Sequence, residues 1–315
     1  MPFAKILSAQ THLLKPRLVS VETDISFGLH SFTVVGLPDK AVEEARDRVS
    51  AAIKNSGFTS PKSKNQKLVI SLAPAELKKE GPSFDLPMAL SYLLASEEIG
   101  FDGEGKLFLG ELSLDGKISP VRGVLPIAKL AADKKVKELY VPKENAREAA
   151  LIDGIRIFGV SSLGELSEHL TGSKTINPEK KTSLPKTDKE SEVDFGDIRG
   201  QESAKHALLI AAAGGHNISL FGPPGTGKTM LARAFAGILP PLSKDEVFEV
   251  TGIHSVSGLL DDDLIITPPF RSPHHTSSYI SLIGGGTYPK PGEVTLAHRG
   301  VLFLEVIPQR VVSSF

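Results

Sequence analysis

The stretch Gly222-Pro-Pro-Gly-Thr-Gly-Lys-Thr229 decides how the chain is read. It follows the apolar run Ile218-Ser-Leu-Phe221 and precedes Met230-Leu-Ala-Arg-Ala-Phe-Ala-Gly-Ile-Leu239, which has helical spacing and no internal proline. Strand, glycine-rich loop and helix in that order make a phosphate-binding P-loop. Its glycines let backbone N–H groups converge on phosphate oxygens, and the helix N-terminus adds favourable partial charge. Lys228 is placed to reach the β- and γ-phosphates of a nucleotide, and Thr229 to offer its hydroxyl to Mg²⁺. Gly222, Pro223, Pro224, Gly225, Thr226, Gly227, Lys228, Thr229 and Met230 are therefore the candidate cofactor contacts. The competing description is a glycine-rich turn with a solvated lysine, and the strand-to-helix setting argues against it.

At 315 residues the chain exceeds the size at which one core usually keeps growing, so two domains are expected. Cysteine is absent, which excludes disulfides and thiolate metal sites. With 36 basic against 37 acidic residues, any nucleic-acid contact must come from a local patch. There is no Trp and there are four Tyr, too few for a surface dominated by aromatic stacking on single strands. Met-Pro-Phe-Ala-Lys-Ile-Leu-Ser at the start lacks the long apolar core of a secretory signal, and no run of about 18 apolar residues occurs. The expected location is the cytoplasm, without a membrane partner.

Residues 1–171 read as an α+β unit. Leu18–Glu22 and Ser31–Gly36 alternate like strands, with Gly28 at the bend between them. Ala41, Val42, Ala45, Val49, Ala52 and Ile53 make a helical stripe over 39–55, ended near Gly57. Further strands are expected at 67–72, 106–111 and 138–141, and helices at 86–95, 123–134 and 144–152. Such alternation favours a layered domain. Residues 172–194 hold five Lys, five acidic residues and two Pro against only Ile176, Leu184 and Val193, and read as a flexible linker. Order resumes at Asp194, followed by an Ala/Leu-rich helix over 202–214.

With these residues in view the chain resembles the YifB/ComM family, the magnesium-chelatase-like ATPases of the AAA+ class. Phe195-Gly-Asp-Ile-Arg-Gly-Gln-Glu-Ser-Ala-Lys205 is similar to the segment before the first helix of AAA+ modules, which implies that Ile198 and Gly200 lie near the adenine. Phe270-Arg-Ser-Pro-His-His-Thr-Ser-Ser278, with Leu282–Gly286 and Pro289–Glu293, resembles the chelatase-type insert, and Leu296–Leu304 the approach to Walker B. The resemblance implies an α/β chain: a Lon-protease-like (ribosomal S5 domain 2-like) α+β domain over 1–171, then a partial P-loop AAA+ large subdomain over 195–315. It also implies ATP and Mg²⁺ as cofactors, a homo-oligomeric ring, usually a hexamer, and a motor that moves branched or single-stranded DNA during recombination of incoming strands. A metal-chelatase ATPase subunit and a non-catalytic nucleotide-binding module are the alternatives; a Lon-like domain in front argues against the chelatase.

Two other groups of residues bear on the chemistry. Gly81-Pro-Ser83 resembles the nucleophile segment of Lon-type proteases, but matching Arg122–Lys129 to that pattern puts Leu125 where the lysine base stands, and leucine takes no proton. Lys129 lies one helical turn away and reads as a solvated helix residue; on that reading Ser83 is a degenerate protease position and an N-cap. His274 and His275, adjacent on a loop and without a spaced third ligand, do not make a closed zinc site. With Arg271 and Lys290 they are candidate contacts to DNA or a ring pore, or else they shape the insert through local hydrogen bonds. Asp261-Asp-Asp263 reads as a solvated turn.

At its end the chain departs from the family. The strand Gly300–Leu304 should run into Asp-Glu, one carboxylate for Mg²⁺ and one to activate water. Here Glu305 stands alone before Val306 and serves either the metal or the base role. The sensor-1 strand, arginine finger and helical lid are not found in 306–315, which reads as truncation or a frameshift with impaired ATP hydrolysis.

Overall fold

Alternation along the first residues sets a long antiparallel hairpin, and the first of two units is laid out around it. The computed structural model describes residues 3–182, 193–260, 264–286 and 289–305, in units spanning Met1–Ser183 and Leu184–Phe315. The segments 183–192, 261–263 and 306–315 lie outside the described residues, so the Asp261–Asp263 turn and the reading of the chain's end are not addressed by it.

The first unit carries β1 (Phe3–His12), β2 (Lys15–Phe27), β3 (Ser31–Val35), β4 (Gln66–Ala73), β5 (Lys106–Phe108), β6 (Glu111–Leu112), β7 (Ile118–Ser119), β8 (Glu138–Pro142) and β9 (Arg156–Val160). Seven of them form one sheet in the order β3-β4-β2-β1-β5-β8-β9, and β6 pairs with β7. The β1–β2 and β2–β4 pairs are antiparallel; the β3–β4, β1–β5, β5–β8 and β8–β9 pairs are parallel. Its helices are α1 (Lys40–Asn55), α2 (Asp85–Ala95), α3 (Val124–Asp133), α4 (Ala146–Ala149) and α5 (Leu163–Leu170).

The expected stripe of α1 is buried at Val42, Ala45, Val49, Ala52 and Ile53, and Asp39 caps the helix by accepting from the Val42 N–H at 2.8 Å. Helix α2 is apolar nearly all round and is buried on nearly every side, with Leu86, Met88, Leu90, Tyr92 and Leu93 fully enclosed. The strand expected over 106–111 breaks at Gly110, which instead donates to the Ser83 carbonyl and accepts from the Leu86 N–H. The helix expected over 144–152 shrinks to the single turn α4. Residues 173–182, placed in the linker by composition, lie along this unit: Ile176 packs on its core, and Glu179 and Thr182 donate backbone hydrogen bonds to Ile157 and Ala150.

The second unit holds α6 (Glu202–Gly214), α7 (Lys228–Gly237), α8 (Lys244–Ser257), β10 (Phe270–Arg271), α9 (Tyr279–Ile283), β11 (Gly284–Gly285), β12 (Lys290–Pro291), α10 (Glu293–Leu296) and β13 (Val301–Leu302). Its sheets among the described residues are two-stranded: β10 with β13, parallel, and β11 with β12, antiparallel. Ile198, Leu208, Ala211, Leu231, Ala234 and Phe235 form a core between α6 and α7. The strand expected at Ile218–Phe221 is extended chain without a ladder partner among the described residues, and Phe221 is fully exposed. A strand exists only by pairing, so apolar character alone does not make one.

Candidate nucleotide site

The loop Gly222–Gly227 joins that extended segment to α7. Gly225 and Gly227 both sit at φ 82°, where a Cβ would cost about 1–2 kcal/mol. The Thr226 hydroxyl closes the loop by donating to the Pro223 carbonyl at 2.9 Å. Gly227 caps α7 without a side chain, so the first N–H groups of the helix remain free of a side-chain acceptor. Lys228 folds back over the loop, its Nζ donating to the Gly222 and Pro223 carbonyls at 2.8 Å each. An ammonium held by neutral oxygens, here two carbonyls and the Thr226 hydroxyl, exchanges them readily for phosphate oxygens, which bind it about twice as strongly.

Thr229 Oγ1 donates to Glu305 Oε1 at 3.0 Å, bringing together two residues 76 positions apart. A hydroxyl and a carboxylate side by side are hard oxygen donors of the kind Mg²⁺ takes alongside phosphate oxygens and water. The residues present thus fit such a cation, which Thr229 and Glu305 would hold. Met230 is exposed at the start of α7. Gly200 is exposed at φ 66°, before α6. Ile198 is buried in the α6–α7 core, which makes it a support of the loop helix.

Glu305 is delivered by β13, and β13 by β10. Val301 N–H donates to the Pro269 carbonyl and Phe303 N–H to the Arg271 carbonyl, both at 2.8 Å. Gly300 permits that approach, since a Cβ there would lie 2.1 Å from the Pro269 oxygen.

In the insert Arg271 makes a local pair, one of the two roles the sequence leaves open for it: its Nε and NH2 donate to the two Glu293 oxygens at 2.6 and 2.8 Å in a bidentate arrangement. Pairing raises the Arg271 pKa and lowers that of Glu293, each chiefly through this hydrogen bond. Glu293 was not singled out in the sequence because it lies 22 residues from its partner. His274, His275 and Lys290 are exposed. The two imidazoles lie with centroids 4.1 Å apart and ring planes tilted by 35°, and His274 Nδ1 meets the Thr276 hydroxyl at 2.7 Å. Among the described residues no group of three metal-ligating side chains occurs.

In the first unit, Ser83 sits half-buried in the 3-10 turn Pro82–Phe84, and its hydroxyl has no partner among the described residues. Leu125 is buried on α3 while Lys129 is exposed. Buried Lys79, four residues before Ser83, donates its Nζ to the Pro74 carbonyl, and burial lowers its pKa. Among the described residues no hydrogen bond joins Ser83 to a base, and Ser83 does not cap α2, whose N-cap is Phe84 without a side-chain bond; the turn is the entry to that helix.

Family comparison agrees with this layout. The family described as "Magnesium chelatase, subunit ChlI" matches residues 194–312, and that described as "Subunit ChlI of Mg-chelatase" matches residues 21–145. Competence protein ComM of Haemophilus influenzae is 41% identical over 98% of this chain and 61% of its own length. The uncharacterized protein YifB of Escherichia coli is 42% identical over 92% of this chain and 57% of its own. The chain thus spans about 60% of the length of these relatives. A shorter match, 33% identical over 107 residues, is to Lon protease 2 of Bacillus subtilis, in keeping with the expected Lon-like domain beside a P-loop domain.

Proposed function

The chain belongs to the YifB/ComM family of magnesium-chelatase-like AAA+ proteins, and from that premise we propose that its second unit binds ATP with Mg²⁺ as part of a motor acting on DNA. The observation that carries this is the approach of Thr229 to Glu305 beside the Lys228 loop. Lys228 trades two loop carbonyls for the β- and γ-phosphates, and the free N–H groups at the start of α7 face the same anion. Mg²⁺, when bound, would neutralise charge on the phosphates, and Thr229 and Glu305 would hold it.

With Glu305 engaged at the metal position, Val306 follows where a water-activating carboxylate stands in the family pattern. Hydrolysis by this chain is accordingly slow, and nucleotide binding is its main retained property. The proposed DNA contacts are exposed His274, His275 and Lys290, without Arg271. Domain limits of 1–171 and 195–315, a ring of copies, usually hexameric, and a cytoplasmic location complete the reading; among the described residues no helix is long and apolar enough to cross a membrane. The name of the Haemophilus relative, a competence protein, supports a role in handling incoming DNA.

The test pairs nucleotide and DNA. Lys228→Ala removes a charge-assisted contact worth about 1.5–3 kcal/mol, so ATP affinity is expected to fall roughly 10- to 100-fold. Binding to a four-way DNA junction, measured with and without ATP, should strengthen with ATP in the parent chain only. Equal ATP affinity in the Lys228→Ala chain would sink the nucleotide reading, and junction binding indifferent to ATP would sink the motor.

A further inference from the structure

We propose that Arg271 is a positioning residue for Glu305, coupling the His274–Lys290 insert to the metal-holding end of the nucleotide site. The proposal rests on the ATP–Mg²⁺ reading above. Its geometry is a chain of contacts. The guanidinium clamps Glu293 at the start of α10, while the carbonyl of the same residue holds the Phe303 N–H, two residues before Glu305. Phe270 and Phe303 stack alongside with centroids 6.2 Å apart.

Strand β13 is two residues long, and β10 is its only ladder partner among the described residues. A two-residue pair has little stability of its own, so its position depends on what fixes β10. The bidentate pair, partly shielded from water, fixes it to α10. Helix α10 is anchored in turn by His254 of α8, whose Nε2 lies 3.1 Å from the Leu296 carbonyl. The far ends of this linkage are the exposed imidazoles three and four residues after Arg271, and Thr229 of the P-loop. A ligand that moves His274 and His275 pulls on β10, and β10 sets where the Glu305 carboxylate meets Thr229.

Outer-sphere residues that orient a ligand typically change metal affinity 10- to 100-fold when lost. In the full chain, binding of N-methylanthraniloyl-ATP is followed by fluorescence as Mg²⁺ is titrated. Arg271→Gln and Glu293→Gln should each raise the Mg²⁺ concentration for half-maximal effect by about tenfold. Affinity measured in EDTA should stay within roughly twofold of the parent, since Lys228 and the loop are untouched. In a Glu305→Gln background Arg271→Gln should add nothing, because the carboxylate it positions is gone.

An unchanged Mg²⁺ midpoint in both variants overturns the proposal, as does an equal loss of affinity in EDTA, which marks a merely structural role. An additive effect in the Glu305→Gln background overturns it too. If Arg271→Gln fails to fold, Glu293→Gln carries the same test. Failure of the underlying reading looks different: Lys228→Ala would then leave nucleotide binding intact.

Discussion

The two units solve the problem of holding a site in opposite ways. In the first, a seven-stranded sheet and two buried helices enclose a core in which Leu68, Ile70, Leu72, Leu90 and Phe108 have no exposed surface. In the second, the residues that matter hang from a glycine loop and a two-residue strand, while Phe221 and Leu304 face solvent. The better-packed unit holds the half-buried turn at Ser83, and the loosely tied one holds the proposed nucleotide loop. Stability is drawn from buried area and ladder pairing, whereas a phosphate site needs backbone N–H groups and one lysine in register. The second unit should therefore respond to ligand and the first to its core alone.

The strongest way to break that contrast is inside the first unit. Asp85 is fully buried, bound by Arg48 at 2.9 and 3.1 Å and by the Leu112 N–H at 3.3 Å, which ties α1, α2 and β6 together. Arg48→Met leaves a buried carboxylate unpaired, expected to cost about 3–5 kcal/mol in urea unfolding of the first unit. The second unit's transition should not move. Burial pushes the Asp85 pKa from 3.8 up to about 6, against the pull of Arg48 and Leu112. The folded state then holds a proton that the unfolded chain has released, so this stability is present below pH 3.8 and lost as pH rises through about 6. The change is worth about 3 kcal/mol, and Asp85→Asn should flatten the urea midpoint over that window.

Which parts were legible follows from where the information lies. The stripe of α1, the apolar α2 and the helix α7 after the glycine loop are local patterns and are present as expected, whereas the strand expected before that loop has no ladder partner among the described residues. Strand β1 was passed over because its inward positions include Ser8 and Gln10, buried against the Phe108 and Lys78 carbonyls. Helix α8 was missed because its buried stripe, Val247, Val250, Thr251, His254 and Ser255, has helical spacing in polar residues. Arg271 stays open in the sequence between a DNA contact and local hydrogen bonding for a related reason: the carboxylate that pairs with it is brought by the fold. Apolar periodicity reports burial only where burial is apolar; paired polar groups are silent in sequence.

Ligand binding sharpens the contrast from the other side. A ligand that binds only the folded state at 100 times its dissociation constant stabilises it by about 2.7 kcal/mol. ATP and Mg²⁺ at that level should stabilise the second unit by that much, seen as an upward shift of its thermal midpoint, and leave the first unit's midpoint unchanged. A matched shift in both transitions would mean that the units unfold as one, and the contrast would fail.

The smallest effect comes from the helix caps, where the two units can be compared at a single residue type of contact. Ser243 and Glu246 form a reciprocal box at the start of α8: the Ser243 hydroxyl accepts from the Glu246 N–H at 3.4 Å, and a Glu246 oxygen accepts from the Ser243 N–H at 2.9 Å. Asp39 caps α1 and accepts from the Gly81 N–H at 3.2 Å as well, so one carboxylate serves a helix and the turn that holds Ser83. Cap removal costs about 0.5–2 kcal/mol. Asp39→Ala should fall near the top of that range and Ser243→Ala near about 1 kcal/mol, because Glu246 still reaches the Ser243 N–H after the hydroxyl is gone. Urea midpoints of each unit check the pair. Equal losses would show that the added Gly81 contact contributes nothing, and that the first unit's advantage lies in its apolar core rather than in polar groups shared between elements.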